Sequence, residues 1–213
     1  MKGVFITFEG PDGSGKTTQL HRLAEHLRRL GQDPLVTREP GGTAIGDKIR
    51  EIILSPENKE MADPSEVLLY AASRAQHVQE KILPALEQGR LVICDRFVDA
   101  SVAYQAYGLG MNREAVEAIN RFATSGLKPD RTYLLDVSPE VSRERLLNRA
   151  GGGSPAVLDR IEQKGLEYHR KVREGFFAIA EAEPVRVRLV KADRSPDAIF
   201  AEILEDCLQL LPL

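Results

Sequence analysis

The chain has 213 residues, enough for one α/β domain with a sizeable core. Apolar residues make up 42% and charged residues 29%, and the net charge of −3 speaks against nucleic acid as a partner. Two cysteines far apart in sequence, Cys94 and Cys207, exclude a disulfide framework and point to a reducing compartment.

The opening stretch, MKGVFITFEG, carries charge and glycine at once and is not read as a signal peptide. No apolar run approaches the ~18 residues of a membrane helix. A cytoplasmic protein without membrane contact is expected. Residues 4–8, VFITF, are β-branched and aromatic, and predict a buried parallel strand ended by Glu9-Gly10. Leu20, Leu23, Ala24, Leu27 and Leu30 then fall at helical spacing, and Gly31 stops that helix. Residues 35–37 read as a second strand, and Ile45, Ile49, Ile52 and Ile53 as a second helix. Asp63-Pro64-Ser65-Glu66 predicts a helix start, with Asp63 as the cap, Pro64 in the first position and Glu66 at capping-box spacing. That helix is expected to run to about residue 88, kinked at Pro84. Residues 91–94 make a third strand ending at Asp95, residues 99–106 and 112–124 read as helical, and residues 132–136 make a fourth strand. Ser138-Pro139 opens a helix to about residue 149. After the glycine break at 151–153, a long helix is expected over 158–182, a fifth strand over 185–190, and a last helix from Ser195-Pro196. Strands alternating with helices predict a parallel sheet with helices on both faces. No repeat or linker divides it, so one domain over 1–213 is expected, with a mobile lid around 149–158.

Residues 10–17 fit G-x-x-x-x-G-K-[ST], after a predicted strand and opening a predicted helix. A chance glycine turn would lack that setting. Gly10, Gly13 and Gly15 let backbone N–H groups turn inward around phosphate oxygens, and the helix N-terminus adds its positive end. Lys16 supplies a point charge and Thr17 a hydroxyl for Mg²⁺. The whole loop, Gly10, Pro11, Asp12, Gly13, Ser14, Gly15, Lys16, Thr17 and Thr18, is expected to hold the phosphates of a nucleotide. Asp95, ending a neighbouring strand, suits the metal's water shell. A guanine-nucleotide switch would need N-K-x-D, which the chain lacks. Arg38, Arg50, Arg74, Arg96 and Arg149 lie in separate segments. Each alone suits a solvated surface, but together they favour a second phosphate-bearing substrate.

Several stretches, in order, carry a resemblance: FITFEGPDGSGKTTQ, TREPGGT, GDKIREIIL, LLYAASRAQH, CDRFVDASVAYQ, LLDVSPEVSRERL and LDRIE. Together they span nearly the whole chain, which resembles the bacterial thymidylate kinases. The resemblance implies the nucleoside-monophosphate-kinase type of phosphate-loop fold, with five parallel strands ordered 2-3-1-4-5. It implies transfer of the ATP γ-phosphoryl group to dTMP, with Mg²⁺ as cofactor, on the route to dTTP for DNA synthesis. Residue roles follow from the matching positions. Lys16 and Thr17 serve ATP and Mg²⁺, and Asp12 approaches the dTMP sugar and phosphate. Glu39 lies near the acceptor phosphate and the metal, and Arg50 and Arg96 clamp that phosphate. Tyr70 stacks on thymine, Arg74 and Gln105 bond its edge, Ser101 lines the pocket, and Tyr104 lies beneath the sugar and disfavours a 2′-hydroxyl. Ala192, within Lys191-Ala192-Asp193, contacts adenine. A homodimer is implied, with candidate interface segments at 63–83 and 99–122.

The chain departs from the family in its lid. The phosphate loop has no arginine, so the transition-state arginine is expected in the lid, yet that segment is glycine-rich. Arg149 is the first candidate, with Arg145 and Arg160 in reserve, and ATP is expected to order the segment. Phe97 stands where many relatives have tyrosine, which removes one hydroxyl. His21, His26, His77 and His169 show no metal spacing and read as surface or helix-packing residues. The alternatives are a nucleoside kinase or another monophosphate kinase on the same fold, and a non-catalytic nucleotide-binding regulator.

Overall fold

A computed structural model describes residues 3–148 and 158–211. Five strands, β1 (Phe5–Glu9), β2 (Leu35–Arg38), β3 (Val92–Asp95), β4 (Arg131–Asp136) and β5 (Val187–Lys191), form one sheet in the order β2-β3-β1-β4-β5. All four pairings are parallel: Phe5 and Leu35 both lie opposite Val92, Ile6 opposite Arg131, and Thr132 opposite Val187. The expected order and direction are observed.

The helices are α1 (Lys16–Arg29), α2 (Ala44–Leu54), α3 (Asp63–His77), α4 (Leu83–Glu87), α5 (Val98–Ser101), α6 (Arg113–Ala123), α7 (Pro139–Asn148), α8 (Leu166–Ala182) and α9 (Pro196–Leu210). Successive strand side chains point to opposite faces. Ile6, Phe8, Ile93, Tyr133 and Leu135 meet Leu20, Leu23 and Leu27 of α1 and Ile199 and Ile203 of α9 on one face. On the other face Leu134 and Val187 meet Phe176 and Ile179 of α8, and Phe5 and Val92 meet Ile82, Leu86 and Phe97. Each such side chain, once buried, contributes about 1.5–3 kcal/mol. Strand β1 lies between β3 and β4, where the strand order reverses. Connections leave to opposite sides there, which opens a crevice outside the strands' carboxyl ends.

Three local expectations need correction. The helix after residue 62 is capped by Ala62, without a side-chain bond, so Asp63 is its first residue and not its cap. Glu66, expected to complete a capping box, turns inward and is 1% exposed. The kink expected at Pro84 is a widened π-helical turn over Val78–Ile82, in which the Leu83 N–H reaches back five residues to the Val78 carbonyl. That turn accommodates a proline that would otherwise clash with the preceding carbonyl. The long helix begins at Leu166 rather than at residue 158. Asp159 Oδ1 accepts from the N–H groups of Ile161 and Glu162, both at 2.8 Å, and holds this stretch in a turn.

Candidate active site

The turn after β1 wraps into the N-terminus of α1. Gly10 has φ 131°, and a Cβ there would lie 2.2 Å from the Leu135 carbonyl oxygen. Gly13 has φ 75°, and a Cβ would approach the Ser142 carbonyl at 2.8 Å. Only glycine suits both positions. Lys16 is 6% exposed, and its ammonium donates to the Pro11 carbonyl across the loop at 2.8 Å. Burial, with the charge of Arg96 beside it, lowers the Lys16 pKa to about 8. Thr17 and Thr18 are exposed on the first turn, and the Thr17 hydroxyl donates to Asp95 Oδ2 at 2.6 Å. Ser142 Oγ of α7 donates to the Asp12 carbonyl, and Arg145 donates to the carbonyls of Gly13 at 3.3 Å and Ala192 at 3.0 Å.

Asp12, Arg96 and Tyr104 form a second cluster. Arg96 donates to Asp12 Oδ1 at 2.6 Å, to the Gly10 carbonyl at 3.0 Å and to the Tyr104 hydroxyl at 3.2 Å. The Tyr104 hydroxyl donates to Asp12 Oδ2 at 3.2 Å. Burial works against the charge on Asp12, but Arg96 and Lys16 outweigh it and hold the carboxyl well below the usual carboxylate range. Arg96 has φ 70°, a left-handed conformation costly for a side chain of this size. Ser101, Tyr104 and Gln105 fall at i, i+3 and i+4 where α5 widens into a π-helical stretch over Val102–Gly108, so they share one face.

Two cavities meet here. A cleft of about 640 Å³ is lined by the phosphate loop, Lys16, Thr17, Asp95 and Arg145. A narrower pocket is lined by Tyr70, Arg74, Ser101, Tyr104 and Gln105, with Leu54 and Ile161. Asp12, Glu39, Arg50, Arg96 and Asp159 line both. Arg50 donates to the Pro40 carbonyl at 3.0 Å, and Arg38 pairs with Asp47 on the rim at 2.9 Å.

The pocket's far wall is a buried polar relay. Arg74 is 2% exposed and donates through Nε to Glu39 Oε2 at 2.7 Å, through Nη1 to Ser101 Oγ at 2.9 Å and to Asn120, and through Nη2 to the Phe97 carbonyl at 3.0 Å. Of five guanidinium N–H groups, one on Nη2 is left without a partner among the described residues. Glu39 Oε1 meets His77 Nδ1 at 2.9 Å, and His77 Nε2 meets Thr37 Oγ1 at 2.7 Å. Each Glu39 oxygen thus holds one partner, and the side chain anchors Arg74 while lining both cavities. His77, expected to be a surface or packing residue, is fully buried inside this relay.

Of the lid candidates, Arg149 lies outside the described residues. Arg160 is buried against Glu66 at 2.7 Å and the Ile53 carbonyl at 2.8 Å, too committed to reach a phosphate. Arg145 sits at the phosphate loop. Ala192, expected at adenine, is fully buried in the core, and its carbonyl oxygen, taken by Arg145, is the polar atom it offers.

Glu9 was not foreseen. It is fully buried, and its Oε1 accepts from the N–H groups of Phe97 at 2.6 Å and Ala100 at 3.3 Å. Burial, then the nearby Asp99, push its pKa from 4.5 up to about 8. The folded state therefore keeps a proton that the unfolded chain loses between these values. This contribution to stability is complete at low pH and is lost as pH rises through the window, with a slope up to about 1.4 kcal/mol per pH unit. Glu9→Gln should remove that slope. Urea unfolding from about pH 5 to 8 tests this, and parallel curves for both proteins would contradict it.

The sequence has known relatives. A family model described as thymidylate kinase matches residues 8–203. A thymidylate kinase of Exiguobacterium sibiricum is 51% identical over 211 residues, 99% of this chain and 97% of the relative. One from Pelobacter propionicus is 48% identical over 97% of this chain and 96% of its own length. Among solved structures, the thymidylate kinase of Ehrlichia chaffeensis superposes with a TM-score of 0.77 at 31% identity, covering 97% of this chain and 99% of that one. With the strand order, the phosphate loop and matches along nearly the full length in agreement, the chain belongs to the thymidylate kinase family.

Proposed function

We propose that this enzyme transfers the γ-phosphoryl group of ATP to the phosphate of dTMP, giving ADP and dTDP, one phosphorylation short of dTTP. The observation that carries this reading is the meeting of two cavities along a shared wall of Asp12, Arg50 and Arg96. The bond from the γ-phosphorus to its bridging oxygen breaks as a bond to an acceptor phosphate oxygen forms. That oxygen is already anionic, so no general base has to remove a proton. What the reaction needs is positioning and neutralisation of two mutually repelling phosphates.

The residues of the site can supply both. The loop backbone and Lys16 cradle the donor phosphates, with Arg145 beside the loop. Arg96 and Arg50 face the acceptor phosphate, and Asp12 keeps Arg96 in place. Tyr70 offers a face for the base, Arg74 and Gln105 read its edge, and Tyr104 closes the sugar side. Arg149 remains the proposed source of the transition-state cation. The Thr17 hydroxyl and Asp95 carboxylate, 2.6 Å apart at the loop, are hard oxygen donors that fit Mg²⁺. Bound there, the ion would neutralise charge between the donor phosphates.

We further propose a homodimer. Its support is exposed apolar surface on neighbouring helices, with Leu68 of α3 57% exposed and Phe122 of α6 88% exposed. Phe122→Glu is expected to yield a monomer in sedimentation, and an unchanged dimer would argue against this face. No described helix is long and apolar enough to cross a membrane. We place the activity in the cytoplasm, where both nucleotides occur.

The test is ADP release with ATP and Mg²⁺, comparing dTMP with dUMP, dCMP, dGMP, AMP and thymidine. Selective turnover of dTMP is expected. Turnover of thymidine instead would make the protein a nucleoside kinase, and ATP binding without acceptor-dependent turnover would make it a regulator.

A further inference from the structure

Which base the pocket accepts depends on Arg74, which can only donate, and on which end of the Gln105 amide meets the base. Gln105 is 1% exposed, and its Nε2 donates to Glu66 Oε1 at 3.0 Å. Its Oε1 has no partner among the described residues. The orientation of an amide is usually ambiguous, but here the partner is a carboxylate, which can only accept. The nitrogen end must therefore face Glu66, and the oxygen end is left free. Glu66 is not among the residues that line the pocket. Its other oxygen lies 2.7 Å from Arg160 Nη2. Arg160 is itself fixed, its Nε donating to the Ile53 carbonyl at 2.8 Å and its backbone N–H to the Leu54 carbonyl at 3.1 Å. The end of α2 thus holds Arg160, Arg160 holds Glu66, and Glu66 holds Gln105.

We infer that Glu66 is a specificity-determining positioning residue: paired with Arg160, it fixes the Gln105 amide so that the pocket presents an acceptor and selects bases bearing an imide N–H. This rests on the reading of the narrower pocket as the acceptor-base site. Thymine and uracil carry that N–H. Cytosine has a lone pair at the same ring position, and would set acceptor against acceptor in a buried place. A site built on a hydrogen bond rejects the analogue that cannot make it far more strongly than an apolar pocket rejects a change of size. If Glu66 were neutral and able to donate, Gln105 could turn over and present its NH₂ group to cytosine.

The test compares kcat/KM for dUMP and dCMP, which differ only along that edge. The proteins are the wild type, Glu66→Gln, and the double variant Glu66→Gln/Arg160→Gln. The double variant leaves no unpaired buried charge and guards against a simple folding failure of the single one. Wild type should favour dUMP by about a hundredfold or more. Both variants should lower that preference about tenfold or more through the KM of the pyrimidine nucleotide, leaving the KM for ATP unchanged. A fall of both rates together, with the preference intact, would mean a merely structural role and would overturn the inference. A wild type that does not phosphorylate dTMP would take down the acceptor reading of the pocket, and this inference with it.

Discussion

Arg96→Ala should lower kcat/KM for dTMP by about a thousandfold or more, or about 4 kcal/mol of transition-state stabilisation. The side chain is 14% exposed and joins Asp12, the Gly10 carbonyl and Tyr104 in one contact set. Removing it takes away a cation on the wall shared by the two cavities and leaves Asp12 without its main partner. Lysine would keep the charge but could not span several acceptors as a planar guanidinium does, so Arg96→Lys should recover little. The backbone gives an internal control. At φ 70° a side chain is strained by about 1–3 kcal/mol. Arg96→Gly should therefore unfold at higher denaturant than Arg96→Ala while being equally inactive. Steady-state kinetics and urea midpoints on the two variants separate loss of function from loss of stability. Alanine activity within tenfold of wild type would refute the role given to Arg96.

Lys16→Met should lower kcat by about a thousandfold or more, because it removes the one cation inside the phosphate loop. The wild type adds a pH signature. Burial first, and then Arg96, bring the Lys16 pKa to about 8 in the nucleotide-free protein. Bound phosphates favour the charged form and so raise that value. Above pH 8 the free protein must therefore take up a proton on binding. The apparent Kd for ATP should rise by up to about tenfold per pH unit there, and stay flat from pH 7 to 8. Titration of ATP binding between about pH 7 and 9.5 measures this. A flat curve in the wild type, or an equal slope in Lys16→Met, would contradict it.

The sheet was legible because its strands are short apolar runs separated by helices at clear spacing, and the loop from residue 10 to 17 fixed where β1 ends. Burial on both faces removes the two-residue alternation but leaves run length and punctuation intact. Local signals failed where tertiary contacts took the residue. Glu66 stands at capping-box spacing, yet it is drawn inward by Gln105 and Arg160, both within 3.0 Å in space and both far away in sequence. Residues 158–165 carry helical spacing, but the Asp159 carboxylate captures two backbone N–H groups and holds a turn. His77 looked like a helix-packing residue because nothing in its neighbourhood shows that Glu39 and Thr37 converge on it. Glu9 was in plain view beside the loop. What the sequence could not show is that its carboxyl is fully buried and ties down the start of α5 through the N–H groups of Phe97 and Ala100. The pocket residues were legible through their matching motifs, but the commitment of Arg74 to four partners was not.

The central claim is that the cleft at the phosphate loop and the pocket at Tyr70 hold donor and acceptor at once, sharing Asp12, Arg50 and Arg96. The most direct measurement is inhibition by an adenosine and a thymidine joined 5′ to 5′ through a chain of phosphates long enough to span both. The prediction is competition with both ATP and dTMP, with binding about a hundredfold or more tighter than either nucleotide alone. Competition with ATP alone, with dTMP still binding alongside the inhibitor, would mean that the two cavities do not form one site.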